Sequence, residues 1–388
     1  MTKLLRITTI HESLRVLLPG QLAFMRAQGF TVWAASAAPD GAPTSIDGCP
    51  FYPLPLVRQP APFRDAWAFC KTYRLIRTLR PHIVHTHTPK AGFVGILAAW
   101  LARVPVRIHT VAGLPLMERR GWKRWVLIQA ERLTYRLATH VWSNSFGLET
   151  YIRQYIYDEP KLWVIGNGSS NGIDVDFFRA RPSLTTQACV LRAQLGIPTS
   201  AFVWVFVGRF VRDKGLTELV QAFLSILKTA PNTYLLLVGR SEPDDPIDGE
   251  TERSLTETPK IISVGYQTDV RPYMVLGDAL VLPSYREGLP NVLLQAGCLE
   301  RAVVATDITG CNEVIVPGKT GLLVRPKDAN ALQQAMNTMM DDPGLCAQMG
   351  RLARAHVRGR YEQQQLWYAL LTAYREALST NQQLCTSS

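Results

Sequence analysis

The sequence predicts an α/β protein made of two doubly wound domains, each built on a parallel sheet. Three observations lead there. At 388 residues the chain is longer than one hydrophobic core usually organises, which points to two domains of ordinary size. Short β-branched or aromatic runs alternate with amphipathic stretches, the order that strand–helix–strand crossovers produce. The alternation restarts after the Gly-rich stretch "GNGSSNG" at 166–172, which divides the chain.

Taken in order, the first half offers the strands "LLRITTI", "TVWAAS", "HIVHTH", "VRIHTV" and "HVWSNS", with helical patterns at 20–28, 66–79 and 122–138 between them. The second half repeats the design with "FVWVFVG", "TYLLLVG", "IISVGY", "ALVLPS", "AVVATD" and "GLLVRP", separated by helical patterns at 216–229, 269–276, 291–299 and 330–340. Beyond Tyr361, residues Leu366, Leu370, Tyr374 and Leu378 recur at fours beside Trp367, Leu371 and Ala377, giving one apolar helical stripe. Residues 381–388 read as a frayed tail.

Composition narrows the function classes. Hydrophobic residues make up 47% and charged residues 19%, as in a soluble globular chain. The opening "MTKLLRITTI" lacks the apolar run and cleavage site of a signal peptide, and the longest apolar stretch, 91–102, is well short of the roughly 20 residues a membrane span needs. Seven cysteines without zinc spacing or Cys-x-x-Cys pairs read as reduced thiols, hence a cytoplasmic protein. The net charge of +11 is uneven: residues 1–173 hold 21 Lys and Arg against 9 Asp and Glu, while 174–388 hold 21 against 22. A one-sided basic field implies a phosphate-bearing partner, either nucleic acid or an anionic membrane face.

In doubly wound sheets ligands bind where the strands end. After "FVWVFVG" comes "RFVRDKG", which places Arg209 and Lys214 ahead of a helix amino terminus. Two cations there suit a diphosphate, although a solvated basic loop has the same composition. After "ALVLPS" comes "YREGLPNVLLQAG", with a helix beginning near Pro290. Its free N–H groups are expected to face the same cleft mouth, and Gln295, four residues past Asn291, lies on the same helix face.

These residues carry a resemblance. "VGRFVRDKG", "VLPSYREGLPNVLLQA", "ATDITGCNEVI" and "GKTGLLV" resemble the signature loops of the large retaining glycosyltransferase family with the GT-B fold, whose members build bacterial capsular and lipid-linked polysaccharides. In the first half, "PHIVHTHTPKAG" and "VIGNGSSNGID" are similar to that family's second-helix entry and interdomain linker. The resemblance implies a first domain of 1–168 that accepts the crossing helix 361–380, and a nucleotide-sugar domain of 169–360. Arg209 and Lys214 would hold the donor diphosphate and Glu287 the donor sugar, making these three the catalytic candidates. The rest of the donor site would be Gly208, Gly288, Leu289, Pro290, Asn291, Val292 and Gln295. Ser13, Arg15, His87, Lys90 and Gly113 are the acceptor-side candidates.

The chain departs from the family pattern at two places. The family's usual Glu at position 295, which grips both ribose hydroxyls, is here Gln295. An amide offers one acceptor oxygen and one NH₂ group, so nucleotide binding is expected to weaken by about 1 kcal/mol without vanishing. Many relatives also carry a His before Gly-Leu after "RIHTV", and this chain has Ala112. His109 lies inside a strand and is expected in the core, whereas for His87 a ligand contact and plain packing both stay open.

Other motifs are set aside. "DVD" at 174–176 follows the linker and does not end a nucleotide-binding strand, so no metal is expected there. "DDP" at 244–246 reads as an acidic surface loop, and the sequence holds no Walker loop or dinucleotide fingerprint. "MERRGWKRW" interleaves Arg119, Arg120, Lys123 and Arg124 with Trp122 and Trp125, a composition for an anionic membrane surface or for a basic loop packed on the helix behind it. No nucleic-acid motif accompanies the charge. The reading is therefore a glycosyltransferase needing no metal or other cofactor, peripheral at the inner membrane face, with a UDP-sugar donor and a lipid-linked glycan acceptor as partners. A nucleotide-sugar epimerase and a non-catalytic carbohydrate binder are the rival readings.

Overall fold

The computed structural model describes residues 1–38, 41–59, 61–118, 121–242 and 245–386, with the side chains of 115, 118 and 381–386 left aside. Two compact units result: Met1–Gly172 joined by the chain from Gln363 onward, and Ile173–Glu362.

The first unit opens with β1 (Thr2–Ile10), α1 (His11–Leu17), α2 (Gln21–Ala27), β2 (Phe30–Ala37), β3 (Ser45–Ile46) and β4 (Cys49–Pro53). It continues through α3 (Pro62–Leu79), β5 (Ile83–His87), α4 (Pro89–Leu101), β6 (Val106–Val111), α5 (Gly121–Leu137), β7 (His140–Ser143), α6 (Phe146–Tyr155) and β8 (Leu162–Val164). The strands form one sheet in the order β3-β4-β2-β1-β5-β6-β7-β8. All described pairs are parallel except β3 with β4, so the short β3 departs from the all-parallel expectation. Side chains alternate across the pleat. Leu4 packs with Leu22 and Met25 on one face, while Leu5 and Ile7 pack with Ala68, Ile76, Ala91 and Val94 on the other. Proline in the first turn starts α3 and α4, where the missing N–H costs nothing.

In the second unit follow α7 (Pro182–Gln194), β9 (Phe202–Val207), α8 (Leu216–Leu227), β10 (Thr233–Val238), α9 (Gly249–Glu257), β11 (Ile261–Ser263) and α10 (Arg271–Leu276). Then come β12 (Ala279–Leu282), α11 (Asn291–Cys298), β13 (Ala302–Thr306), α12 (Cys311–Val314), β14 (Gly321–Val324), α13 (Ala329–Asp341) and α14 (Pro343–Tyr361). The sheet order is β11-β10-β9-β12-β13-β14, parallel throughout. The strands are apolar on both faces, as a sheet covered by helices on both sides requires: every residue of β10 and of β12 is buried.

The last helix, α15 (Gln363–Thr386), returns to the first unit. Its stripe Leu366, Leu370, Leu371, Tyr374 and Ala377 joins the core of Leu4, Leu22, Ile83 and Trp142. The division falls at Ile173 and Glu362, a few residues beyond the expected 168 and 360. The Ile173 N–H donates to the Tyr361 carbonyl at 2.8 Å, and the Tyr361 hydroxyl donates to the Glu313 carbonyl at 2.9 Å, which ties both segments to the second unit. The helix also runs through 381–386, where a frayed tail was expected. Among the described residues no helix is long and apolar enough to cross a membrane.

Candidate functional site

The donor-side candidates of the second unit stand where parallel strands end and helices begin. Beyond β9, Gly208 leads to Arg209, then to a single 3₁₀ turn at Arg212–Lys214 and to Gly215 ahead of α8. Gly215 takes φ +68°, and a Cβ there would lie 2.0 Å from the Pro283 carbonyl oxygen, so only glycine fits. That close approach brings the β9 loop against the loop after β12. Three polar links hold the loops together. The Tyr285 N–H donates to the Asp213 carbonyl at 2.8 Å, the Asp213 carboxylate pairs with Arg286, and the Tyr285 hydroxyl reaches Glu218 of α8 at 2.6–2.7 Å.

Within this frame Glu287 is fixed. The buried Ser284 hydroxyl donates to its Oε1 at 2.7 Å, and the Lys214 ammonium pairs with the same oxygen. Thr306, at the end of β13, donates its hydroxyl to the Ser284 carbonyl. Cys311 is fully buried near Glu287; burial first, and the carboxylate second, push its thiol well above the usual range and keep it neutral. Gly310 takes φ +82°, and a Cβ there would lie 2.2 Å from the Gly288 carbonyl oxygen. The "ATDITGCNEVI" and "EGLP" loops therefore touch backbone to backbone. Arg209 lies away from Glu287 and pairs with Glu242, beyond β10, at 2.6 Å.

Pro290 is the N-cap of α11 and not its first residue, so the helix starts at Asn291. Gly288, Leu289 and Pro290 are buried, while Asn291, Val292 and Gln295 are half-buried. Neither the Asn291 nor the Gln295 side chain has a hydrogen-bond partner among the described residues, so both amides are available to a ligand. Of the expected donor-side residues, the structure sets Lys214 against Glu287 just ahead of α11. Sequence reasoning missed Ser284, Thr306, Asp213 and Arg286, since an apolar strand end and one loop carboxylate give no signal until the loops are seen to meet.

In the first unit the acceptor-side candidates fare differently. Ser13 is half-buried and Arg15 exposed on α1, and Gly113 follows β6. Lys90 is held by Asp65 at 2.8 Å. His87 is buried in the core, stacked on His85 with ring centroids 4.3 Å apart, and neither of its ring nitrogens has a partner. Burial and the nearby Arg6 keep both rings well below the usual histidine pKa, hence neutral. His109 is structural: it meets the Thr86 hydroxyl at 2.8 Å, and burial drives its pKa down to about 3. Ala112 offers only its carbonyl, to the Asn144 amide at 3.2 Å.

Sequence reasoning did not single out the fully buried Arg6, whose guanidinium donates to Tyr374 of α15, to Gln21 and, at 3.1 Å, to His85 Nδ1. Among the described residues no carboxylate meets it. Of the membrane candidates, Trp122, Lys123 and Trp125 are exposed and Arg124 is half-buried, while Arg119 and Arg120 lie outside the described residues. The "DDP" loop falls partly outside them too, at 244. In "DVD", Asp174 Oδ1 accepts the N–H groups of Asp176 and Phe177 and so serves a turn. A pocket of 350 Å³ bounded by Arg179, Glu300, Arg354 and Arg358 opens before β13, at the end of the sheet opposite these loops.

Comparison with known proteins gives the family and the fold. Residues 201–342 match the family Glycosyl transferases group 1, and residues 21–168 match the Glycosyl transferase 4-like domain. The chain is 30% identical over 382 residues, 98% of each protein, to the capsular polysaccharide biosynthesis glycosyltransferase CapM of Staphylococcus aureus. It is 26% identical, over 75% of each chain, to the UDP-Gal:alpha-D-GlcNAc-diphosphoundecaprenol alpha-1,3-galactosyltransferase of Escherichia coli. Among solved structures it resembles Anabaena Alr3699/HepE in complex with UDP and glucose, with a TM-score of 0.79, 21% identity, and 97% of this chain and 100% of that one covered. The sucrose-phosphate synthase of Thermosynechococcus elongatus gives a TM-score of 0.80 at 22% identity, with the same coverage. The fold is the two-unit GT-B type that the sequence predicts.

Proposed function

This chain belongs to the group 1 glycosyl transferases and is a glycosyltransferase of capsular or related polysaccharide biosynthesis, and we propose that it moves a sugar from a UDP-sugar to a lipid-linked glycan with retention at the anomeric carbon. The observation that carries the proposal is the convergence of Lys214 and Ser284 on one oxygen of Glu287. Cation and carboxylate satisfy each other in this arrangement. A donor diphosphate takes over the Lys214 ammonium, with Arg209 turning from Glu242 to the same phosphates. Glu287, still held by Ser284, then accepts from hydroxyls of the donor sugar, and the amides of Asn291 and Gln295 meet the nucleotide end.

The acceptor hydroxyl attacks C1 of the sugar from the face that the diphosphate leaves. The C1–O bond to phosphate breaks as the new glycosidic bond forms, and the acceptor proton passes to the departing phosphate oxygen. Lys214 and Arg209 neutralise the charge gathering there, so the step relies on positioning and charge stabilisation and calls on no resident metal. In support of the substrates, the E. coli relative is named for a UDP-sugar donor and a diphosphoundecaprenol-linked acceptor, and the Anabaena neighbour holds UDP and glucose. The basic first unit suits an enzyme peripheral to the inner face of an anionic membrane.

The test is incubation with radiolabelled UDP-sugars, with and without membrane extract. Label passing into the lipid fraction supports the proposal. Conversion of the donor sugar without any acceptor points to an epimerase and overturns it, as does inertness toward every donor.

A further inference from the structure

Large apolar side chains stand in water at one rim of the first unit, and the segment "MERRGWKRW" supplies only part of them. Helices α3, α4 and α5 return the chain between the parallel strands β4, β5, β6 and β7, so they run in one direction and pack as neighbours. Their amino-terminal turns gather at the edge where the strands end. Phe63 and Trp67 of α3 are 93% and 55% exposed, Trp122 and Trp125 of α5 are 71% and 63% exposed, and Phe93 of α4 and Val126 of α5 are also open. All six fall within the first six residues of their helices, about 9 Å of helix length. A monomer in water gains nothing from such a cluster.

The charges there have one sign. Arg58, Arg64, Lys71, Lys90, Lys123 and Arg124 lie on these segments, and among the described side chains Asp65, taken up by Lys90, is the acid that faces them. The Lys71 and Lys123 ammonium groups sit 5.9 and 6.0 Å from the Trp67 and Trp122 ring centroids. Cations beside exposed indoles match a bilayer boundary, where Trp settles at headgroup depth and Lys meets anionic phosphate. Gly113 and Lys90 follow strands that end at this same edge. A bilayer touching the rim would therefore lie beside the acceptor-side loops.

We propose that the amino-terminal turns of α3, α4 and α5 form one docking surface for an anionic bilayer. The proposal deepens the reading of a membrane-presented acceptor and rests on it. Sedimentation of the full chain with vesicles of phosphatidylcholine alone, or with about 30% phosphatidylglycerol, tests it. The parent binds the anionic vesicles, and both Phe63→Ser/Trp67→Ser and Trp122→Ser/Trp125→Ser weaken binding about tenfold or more. Melting temperature falls by no more than a few degrees in both, because these side chains are more than half exposed. Brominated lipid quenches part of the tryptophan emission of a Trp122→Phe/Trp125→Phe variant, and adding Trp67→Phe removes that quenched part.

Parent-like binding by the α3 variant, with release of the α5 variant, would overturn the three-helix surface and leave only the basic segment. Absence of parent binding to either vesicle overturns the membrane reading with it. A parent dimer dissolved by Phe63→Ser/Trp67→Ser would make the rim an interface between copies, which also overturns the proposal. Vesicle binding without any sugar transfer would strike the enzymatic reading and leave the rim standing.

Discussion

Truncating Lys214 separates the two roles that its ion pair gives it. The Lys214 and Glu287 side chains are 18% and 12% exposed, so the pair is mostly out of water. Lys214→Ala leaves the Glu287 carboxylate with the Ser284 hydroxyl as its remaining partner. An uncompensated buried charge costs about 3–5 kcal/mol, and the remaining hydrogen bond and partial exposure reduce that to about 2 kcal/mol here. Turnover falls about 10²-fold, or roughly 2.7 kcal/mol of transition-state stabilisation, because leaving-group charge forms only as the bond breaks. Lys214→Met/Glu287→Gln takes both charges away together. It regains most of the lost stability and none of the turnover. Urea unfolding followed by circular dichroism reads the first quantity, and nucleotide release under saturating donor reads the second. A Lys214→Ala protein as stable as the parent and within about threefold of its turnover would refute both the pairing energetics and the catalytic role.

Arg209→Ala should also lower turnover about 10²-fold, yet leave urea stability within about 1 kcal/mol, since the Arg209 side chain is 47% exposed; normal turnover removes Arg209 from the site. Gln295→Glu should tighten free UDP several-fold, about 1 kcal/mol, by titration calorimetry with little change in turnover, and Gln295→Leu should weaken it; identical affinities would make Gln295 an ordinary helix amide. Glu131, buried in α5, has its carboxyl raised from 4.5 to about 7 by desolvation. The unfolded chain ionises first, so this group removes stability as pH climbs from about 4.5 to 7, by roughly 3 kcal/mol in all. Glu131→Gln should flatten that part of the melting profile, and an unchanged profile would show that Glu131 does not govern it.

Strand positions were legible because both sheets are buried on both faces, which forces continuous apolar runs such as "TYLLLV". The helices α8, α11 and α13 show their periodicity openly, whereas α1, α7 and α9 are short or hold few large apolar residues, and the stripe of α14, Cys346, Met349, Ala353 and Val357, is built from small or sulfur side chains among arginines. At the site, the residue types that meet a diphosphate could be named from two loops. What tied them together could not, because the Asp213–Arg286 pair and the Ser284 contact depend on how close Gly215 lets two backbones come. The same limit hid Arg6, a charge in the middle of an apolar strand whose partners lie 15 and 368 residues away.

That distance sets an order of events for a chain leaving the ribosome. Tyr374 is made 368 residues after Arg6. At about 5–20 residues per second the interval is roughly 20–70 s. From the completion of β8 until α15 follows, the first unit has its strands and α1–α6 but not Leu366, Leu370 and Tyr374, which close its core over Leu4 and Trp142. The usual vectorial rule, that the earlier domain matures before the later one, is reversed here: the second unit can finish while the first still shows an open apolar face and an uncovered guanidinium. A nascent chain stalled just after residue 362 has left the ribosome would hold a complete second unit and an incomplete first one, a natural client for a chaperone and an early target for proteases.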